Sequence, residues 1–321
     1  MLGSAALAAI AETLRSSRAF ASKADIATAA ARLGLSGASA IAVGDDCAAI
    51  PSGDGYLLLA IEGFISTFVA KDPWFAGWCG VMVNIADVAA MGGRPIAVVD
   101  AIWASSSKTG EPILDGLRDA AAAFAVPIIG GHTNLRADTE QLSVAILGRA
   151  ERLLTSFDAA PGDRLVAAID LRGRYREPFP NWEAATDAPL GRLRGDIELL
   201  PLIAEAGLSG AGKDISQAGL VGTAMMLAEC SGVGLSIDIG AVPRPDGVPL
   251  ERWLLSFPSF GYILAVPSTY VEDVVARFAA RGIAAADVGT FTAGSAVEIT
   301  DGTDHETVWD FARQSLIGCA P

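Results

Sequence analysis

DPWFAGWCGVMVNIADVAAMGGRP, residues 72–95, is the stretch that decides how this chain folds. Its apolar run from 74 to 91 is too long for a strand and reads as a helix, closed by Gly92-Gly93 with Pro95 as a stop beyond. The residues that follow, RPIAVVDAIWA (94–104), read as a strand. Working outward, YLLLAIEG (56–63) reads as a buried strand, 110–124 as a helix closed by Pro127, and QLSVAILGRA (141–150) as a strand. Residues 4–15 and 24–33 read as helices. Beyond a turn signal at Pro161-Gly162-Asp163 the alternation resumes. RLVAAIDL (164–171), GLSIDI (234–239), GYILAVP (261–267) and AADVGTF (285–291) read as strands, and 196–207, 216–231 and 269–281 as helices. Helices and strands mixed in both halves predict an α/β (α+β) protein of two domains, 1–155 and 156–321.

The chain has 321 residues, 51% of them hydrophobic and 19% charged, enough apolar material for sizeable cores and too little polarity for disorder. It contains no apolar run long enough to span a membrane. The opening MLGSAALAAIAETLRSS has no basic n-region and is interrupted by Glu12, so it reads as an amphipathic helix rather than a signal peptide, and the cytoplasm is the expected compartment. A formal charge of −14 leaves no basic face for nucleic acid. An acidic protein that handles a polyanion needs metal ions between its carboxylates and the phosphates. Cys47, Cys79, Cys230 and Cys319 are widely spaced, so thiols rather than a disulfide framework are expected.

Four segments carry candidate chemistry. Gly44-Asp45-Asp46-Cys47-Ala48-Ala49 sets two adjacent carboxylates before small residues; it suits a magnesium site or an Asx-type turn. Asn84 and Asp87 stand three apart on an otherwise apolar helix, where a carboxylate is costly unless paired or metal-bound. Gly130-Gly131-His132-Thr133-Asn134 follows the apolar run Val126–Ile129 as a glycine loop whose backbone N–H groups can approach phosphate oxygens; a plain turn is the alternative. Gly212-Lys213-Asp214-Ile215-Ser216 stands at the expected start of the 216–231 helix. GLSGAGK (207–213) fits GxxxxGK, but Asp214 stands where a P-loop needs Ser or Thr. HExxH, GxSxG and GxGxxG are absent, and two histidines cannot build a multi-histidine metal site.

Taken in order, these segments resemble the aminoimidazole ribonucleotide synthetase-like superfamily, which includes that synthetase, thiamine-monophosphate kinase, selenophosphate synthetase and an ATP-using hydrogenase-maturation dehydratase. GDDCAA (44–49) resembles its magnesium motif, NIADVAAMGG (84–93) its N-x-x-D-x-A-A-M-G helix, GGHT (130–133) its GG-[D/E/H]-T loop, and KDIS (213–216) with the following helix its second-domain opening. The likeness covers about residues 41–267. In detail, 72–95 and KDIS…GTAMMLAECSGVG are similar to methanogenesis marker protein 2-like members. The resemblance implies ATP and Mg2+ as cofactors and a small-molecule substrate. It also implies an N-terminal domain that binds ATP and magnesium and pairs with its twin as a dimeric β-barrel flanked by helices, and a C-terminal α/β domain that completes the active-site cleft. Implied metal ligands are Asp45, Asp46, Glu62 and Asp87. Gly130, Gly131, Thr133, Asn134 and Asn84 would bind the nucleotide, and Lys213, Asp214 and His132 would serve catalysis.

The chain also departs from the pattern. Glu62 stands where many relatives have Asp. His132 replaces the acidic residue of kinase-type members, although selenophosphate synthetases carry His there. Gln217 interrupts the SDG of thiamine-monophosphate kinases, and Glu62-Gly63-Phe64-Ile65-Ser66 replaces a DGVGTK-type segment. Cys319 is followed by Ala320 and Pro321, unlike the dehydratase's essential C-terminal cysteine. The leading expectation is an ATP- and magnesium-dependent phosphotransferase. Alternatives are an ATP-driven dehydratase or cyclo-ligase and a non-catalytic nucleotide-binding subunit. The segment 171–195, with five arginines, three aromatic residues, Pro178 and Pro180, is expected either to cover the acceptor or to pack on its own domain.

Overall fold

The computed structural model describes residues 3–23, 25–35 and 41–318. The elements run α1 (Ser4–Arg15), α2 (Arg18–Lys23), α3 (Asp25–Leu33), β1 (Ala48–Ser52), β2 (Gly55–Phe64), α4 (Ser66–Lys71), α5 (Pro73–Ala90), β3 (Arg94–Trp103), α6 (Ser107–Phe124), β4 (Ile128–Asn134) and β5 (Gln141–Ala150). They continue with β6 (Arg164–Ile169), β7 (Arg174–Tyr175), β8 (Asn181–Glu183), α7 (Arg192–Ile197), α8 (Leu199–Glu205), β9 (Ala211–Asp214), α9 (Gly219–Ser231) and β10 (Gly234–Asp238). The last are α10 (Leu250–Leu254), β11 (Phe257–Pro258), β12 (Gly261–Val266), α11 (Val271–Ala279), β13 (Ala284–Thr292), β14 (Ala296–Thr300) and β15 (His305–Asp310). They pack as two compact units, one of residues 46–152 and 186–202, the other drawn from 1–45, 153–185 and 203–321. The chain passes from the first unit to the second at Leu153, three residues before the second domain's expected start at 156, while residues up to Asp45 pack with the second unit.

The first unit is a five-stranded sheet, order β1-β2-β5-β3-β4, backed by α5 and α6. All its ladders are antiparallel except β3 with β4. α5 starts where Asp72 caps the Phe75 N–H and Pro73 opens the first turn; it ends where Gly92 turns left-handed at φ 73°. Two glycines let α5 and α6 touch backbone to backbone: a Cβ on Gly77 would stand 2.1 Å from the Ile113 carbonyl oxygen. A Cβ on Gly116 would stand 1.9 Å from that of Trp74. α6 itself opens on a capping box between Ser106 and Thr109.

Strand alternation gives the sheet two unlike faces. Leu58, Ala60, Val98, Val144 and Ile146 are buried under the helices. The opposite face exposes Ile50, Leu59, Ile61, Val99 and Leu147. The sheet is open, with β1 and β4 as its edges. The β-barrel expected for this part is therefore not closed within one chain: five strands with a parallel pair at one edge leave both edges without a ladder partner in the sheet.

The second unit holds a seven-stranded sheet, order β15-β14-β10-β13-β6-β12-β9, and a small sheet β11-β8-β7. α9, buried along nearly its whole length, lies in the core of this unit with α1, whose Leu7, Ile10, Ala11 and Leu14 face inward. At the end of α9 the buried Glu229 accepts hydrogen bonds from the N–H groups of Leu316, Ile317 and Gly318, which fixes the chain up to that point. Cys319, read from sequence as non-catalytic, lies outside the described residues. Among the described residues, no helix is long and apolar enough to cross a membrane.

Candidate functional site

In the first unit one row of residues crosses four strands. Glu62 on β2 pairs with Val144 on β5, Val144 with Asp100 on β3, and Asp100 with Gly131 on β4. Paired residues share a face, so Glu62, Asp100 and Gly131 lie on the side that α5 and α6 cover. α5 fits closely here: a Cβ on Gly80 would come within 2.7 Å of Val144 Cγ2. Gly80, Asn84 and Val88 form an i, i+4 stripe whose two ends rest on Val144 and Gly148, which directs Asn84 at the sheet between them. Asn84 is fully buried; its Nδ2 donates to the Gly80 carbonyl at 2.8 Å, and its Oδ1 has no hydrogen-bond partner. Asp87, one turn on, is also buried, while Glu62 is exposed at the end of β2 and Asp46 half-buried.

Gly130, Gly131, His132, Thr133 and Asn134 are not the glycine loop expected from the sequence. They form β4, an exposed edge strand running parallel to β3. Turn chemistry in the sequence was outweighed by pairing with a strand about thirty residues away. Gly131 and Thr133 take the helix-covered side. Gly130, His132 and Asn134 take the other, where the His132 ring lies 5.6 Å from that of Trp103. His132 is thus separated from the row that holds Asp100.

Asp100 is the residue that sequence reading missed. Its carboxylate makes no hydrogen bond or ion pair among the described residues, and burial pushes its carboxyl above the ordinary carboxylate range. A Cβ on Gly131 would stand 2.7 Å from Asp100 Oδ2, so the glycine leaves room for that oxygen. A single acid inside the apolar run RPIAVVDAIWA was the available signal. The sign of its linkage to stability is set by the raised value. Between the unfolded and the folded pKa the folded state binds more protons, so stability falls as pH rises through that window. Asp100→Asn is expected to raise the melting temperature at pH 7 and to lose that advantage under acid conditions. Calorimetric melts of both proteins at several pH values check this; a variant less stable at pH 7 contradicts it.

In the second unit the carboxylate of Asp45 is gripped by Ser156, whose Oγ donates to Oδ1 at 2.7 Å and whose N–H donates to Oδ2 at 3.0 Å. Lys213 Nζ donates to Ser156 Oγ at 3.2 Å and to the Gly44 carbonyl at 3.5 Å. Lys213 and Asp214 belong to β9, buried beside β12, and not to the start of a helix as expected; α9 begins only at Gly219. Ser216 Oγ accepts from Lys23 of α2 at 3.3 Å. Ser156 was not legible, since a serine in a connection carries no signal of its long-range partners.

Segment 171–195 is ordered structure. Trp182 stacks edge-on between Tyr175 and Trp253, and the Arg252 guanidinium lies 3.5 Å from the Tyr175 ring centre. Tyr175 and Trp182 are therefore packed within their own unit, while residues 186–195 of the segment belong to the first unit.

Among the described residues no group of three or more His, Cys, Asp or Glu side chains converges to cage a metal. The donors of the first unit are nevertheless of the right kind for magnesium. They are hard oxygens, and Asn84 Oδ1 is a buried acceptor that lacks a hydrogen bond. A cation that takes one or two protein carboxylates and completes its shell with phosphate and water fits such a set.

An open five-stranded sheet under two helices, with a seven-stranded mixed sheet in a second unit, defines a two-unit mixed α/β protein. The chain belongs to the AIR synthase-related family: residues 44–150 match the AIR synthase related protein N-terminal domain, and 185–302 its C-terminal domain. It is 48% identical over 280 residues to an uncharacterized Synechocystis protein, sll0787, covering 87% of each chain. It is 27% identical over 262 residues to a thiamine-monophosphate kinase of Pyrococcus horikoshii, covering 75% of this chain and 82% of that one. Among solved structures, Thermotoga maritima PurL complexed with ATP superposes with a TM-score of 0.69 at 20% identity, over 82% of this chain. This chain spans 45% of that PurL chain, and the likeness is one of fold.

Proposed function

We propose that the chain is an ATP- and magnesium-dependent phosphotransferase, related to thiamine-monophosphate kinase, that acts on a small metabolite. The observation that carries this is the row Glu62–Val144–Asp100–Gly131 under α5, with the Asn84 oxygen directed at the same sheet. In this reading Asp46, Glu62, Asn84 and Asp87 hold the metal and the nucleotide in the first unit, and Asp45 is a further carboxylate that serves Mg-ATP. The backbone of β4 at Gly130, Gly131, Thr133 and Asn134 faces phosphate oxygens, because an edge strand without a further partner presents N–H groups outward. Magnesium, when bound, would neutralise charge on the transferring phosphoryl group. Asp214 is assigned to the acceptor side, whereas Lys213, bonded to Ser156 Oγ and the Gly44 carbonyl, stands beside Asp45. His132, set beside Trp103 on the opposite face of the sheet, keeps no role in proton transfer here.

The exposed apolar face of the five-stranded sheet supports a homodimer. Ile50, Leu59, Ile61, Val99 and Leu147 form a side that nothing in this unit covers, and a second copy of the same face is its natural occupant. That pairing is how the barrel implied by the resemblance would be completed.

The test is the fate of the γ-phosphate. With purified protein, Mg-ATP and a metabolite extract, phosphorus NMR is expected to show ADP together with a new phosphate ester. Stoichiometric orthophosphate with ADP favours a ligase or dehydratase, and absence of ATP consumption favours a binding subunit.

A further inference from the structure

Lys213 is 4% exposed and Ser156 fully buried, so the charge and the hydroxyl are placed where an uncompensated group would be costly. Their bonds run in one direction. The ammonium donates to Ser156 Oγ, which leaves the hydroxyl proton for Asp45 Oδ1, while the Ser156 N–H holds Oδ2. The same ammonium donates to the carbonyl of Gly44, the residue before Asp45, and Cys230 Sγ donates to that carbonyl at 3.8 Å. Ser231 on the last turn of α9 donates to the Ser156 carbonyl at 2.9 Å and fixes the serine in turn. Gly44 adopts φ 131°, open to glycine, which turns its carbonyl into this cluster. A chain of polarised bonds from a buried cation to a carboxylate strengthens each member.

We propose that Lys213 is a resident cation for Asp45 and that Ser156 is the positioning residue that couples them. In the nucleotide-free protein the ammonium, two hydrogen bonds from the carboxylate, stands in for a metal there and repels a divalent cation. Metal then reaches Asp45 only with ATP, whose phosphates supply the negative charge that a second cation needs. This rests on the reading that Asp45 serves Mg-ATP. Its first consequence concerns metal binding without nucleotide and is measured separately.

Mn2+ titrated into the full chain without nucleotide, followed by the electron paramagnetic resonance of free Mn2+, tests it. Lys213→Met is expected to raise Mn2+ affinity by at least about tenfold, the scale of one unit charge removed a few ångströms away at an effective dielectric of about 20. Lys213→Arg, which keeps the charge, is expected to match the parent protein, and adding Asp45→Asn to Lys213→Met to abolish the gain. A variant that disturbed only packing would weaken binding instead. A Lys213→Met protein with a native circular dichroism melt and unchanged or weaker Mn2+ affinity overturns the proposal. Should Lys213→Met not fold, Asp45→Asn alone decides: nucleotide-free Mn2+ affinity stays at the parent value if Lys213 already neutralises Asp45, and a fall overturns the proposal. If the parent chain fails to bind Mg-ATP, the functional reading fails, while the Mn2+ comparison still stands or falls by itself.

Discussion

Replacing Asp87 by asparagine is expected to lower Mg-ATP affinity by about 10–100-fold, the range seen when an oxygen donor or its support is removed from a metal site. Asp87 is buried on α5, one turn beyond Asn84, and both interrupt an otherwise apolar helix that rests on the sheet. Asparagine keeps the volume and loses the charge, so packing against the sheet is retained while a hard cation loses its anionic ligand. Titration calorimetry of both proteins with Mg-ATP, alongside thermal melts, separates binding from folding. Equal affinities would falsify the assignment of Asp87 to the metal.

The second large effect concerns assembly. The parent chain is expected to scatter light as a dimer of twice its 32.9 kDa, and Ile61→Glu as a monomer. Ile61 is 70% exposed in the single chain and lies in the centre of the apolar face, opposite Ala145 on β5. A carboxylate there costs nothing in the isolated chain but must be desolvated, next to its own symmetry mate, in a twofold pairing of this face. A penalty of several kcal/mol, on the order of a thousandfold in the dissociation constant, follows from two like charges buried at one interface. A parent protein that stays monomeric at micromolar concentration, or an Ile61→Glu variant that stays dimeric, removes the sheet face from the account.

What the sequence disclosed follows from the range of the forces that act at each position. The span of α5 was legible because its signals are local: a proline at the first turn, an unbroken apolar run and a glycine pair at the end. Strands β2, β5, β10 and β12 were legible for the same reason, as short apolar runs between turn residues. β4 was misread since Gly-Gly is a local turn signal, and only the distant β3 makes it a strand. β9 was likewise hidden: its lysine and aspartate look like a helix entrance, and β12, some fifty residues later, holds them in a sheet. In the candidate site, Asp45, Asp46, Asn84 and Asp87 stood out as polar residues against an apolar or glycine-rich background. Asp100 was missed although it is a single acid in an apolar run, because its importance depends on Gly131 beside it, a register that the sequence does not carry. The Ser156 grip on Asp45 spans more than a hundred residues and left no trace in composition or spacing.

The proposed function requires that this chain handle ATP through oxygen-bound magnesium. Titration calorimetry of the full chain with ATP, first with excess magnesium and then with magnesium removed by chelation, tests it most directly. One ATP per chain bound in magnesium, with affinity lost on chelation and recovered on adding the metal back, is the predicted result. Absence of ATP binding under both conditions, or binding of equal strength in both, contradicts it.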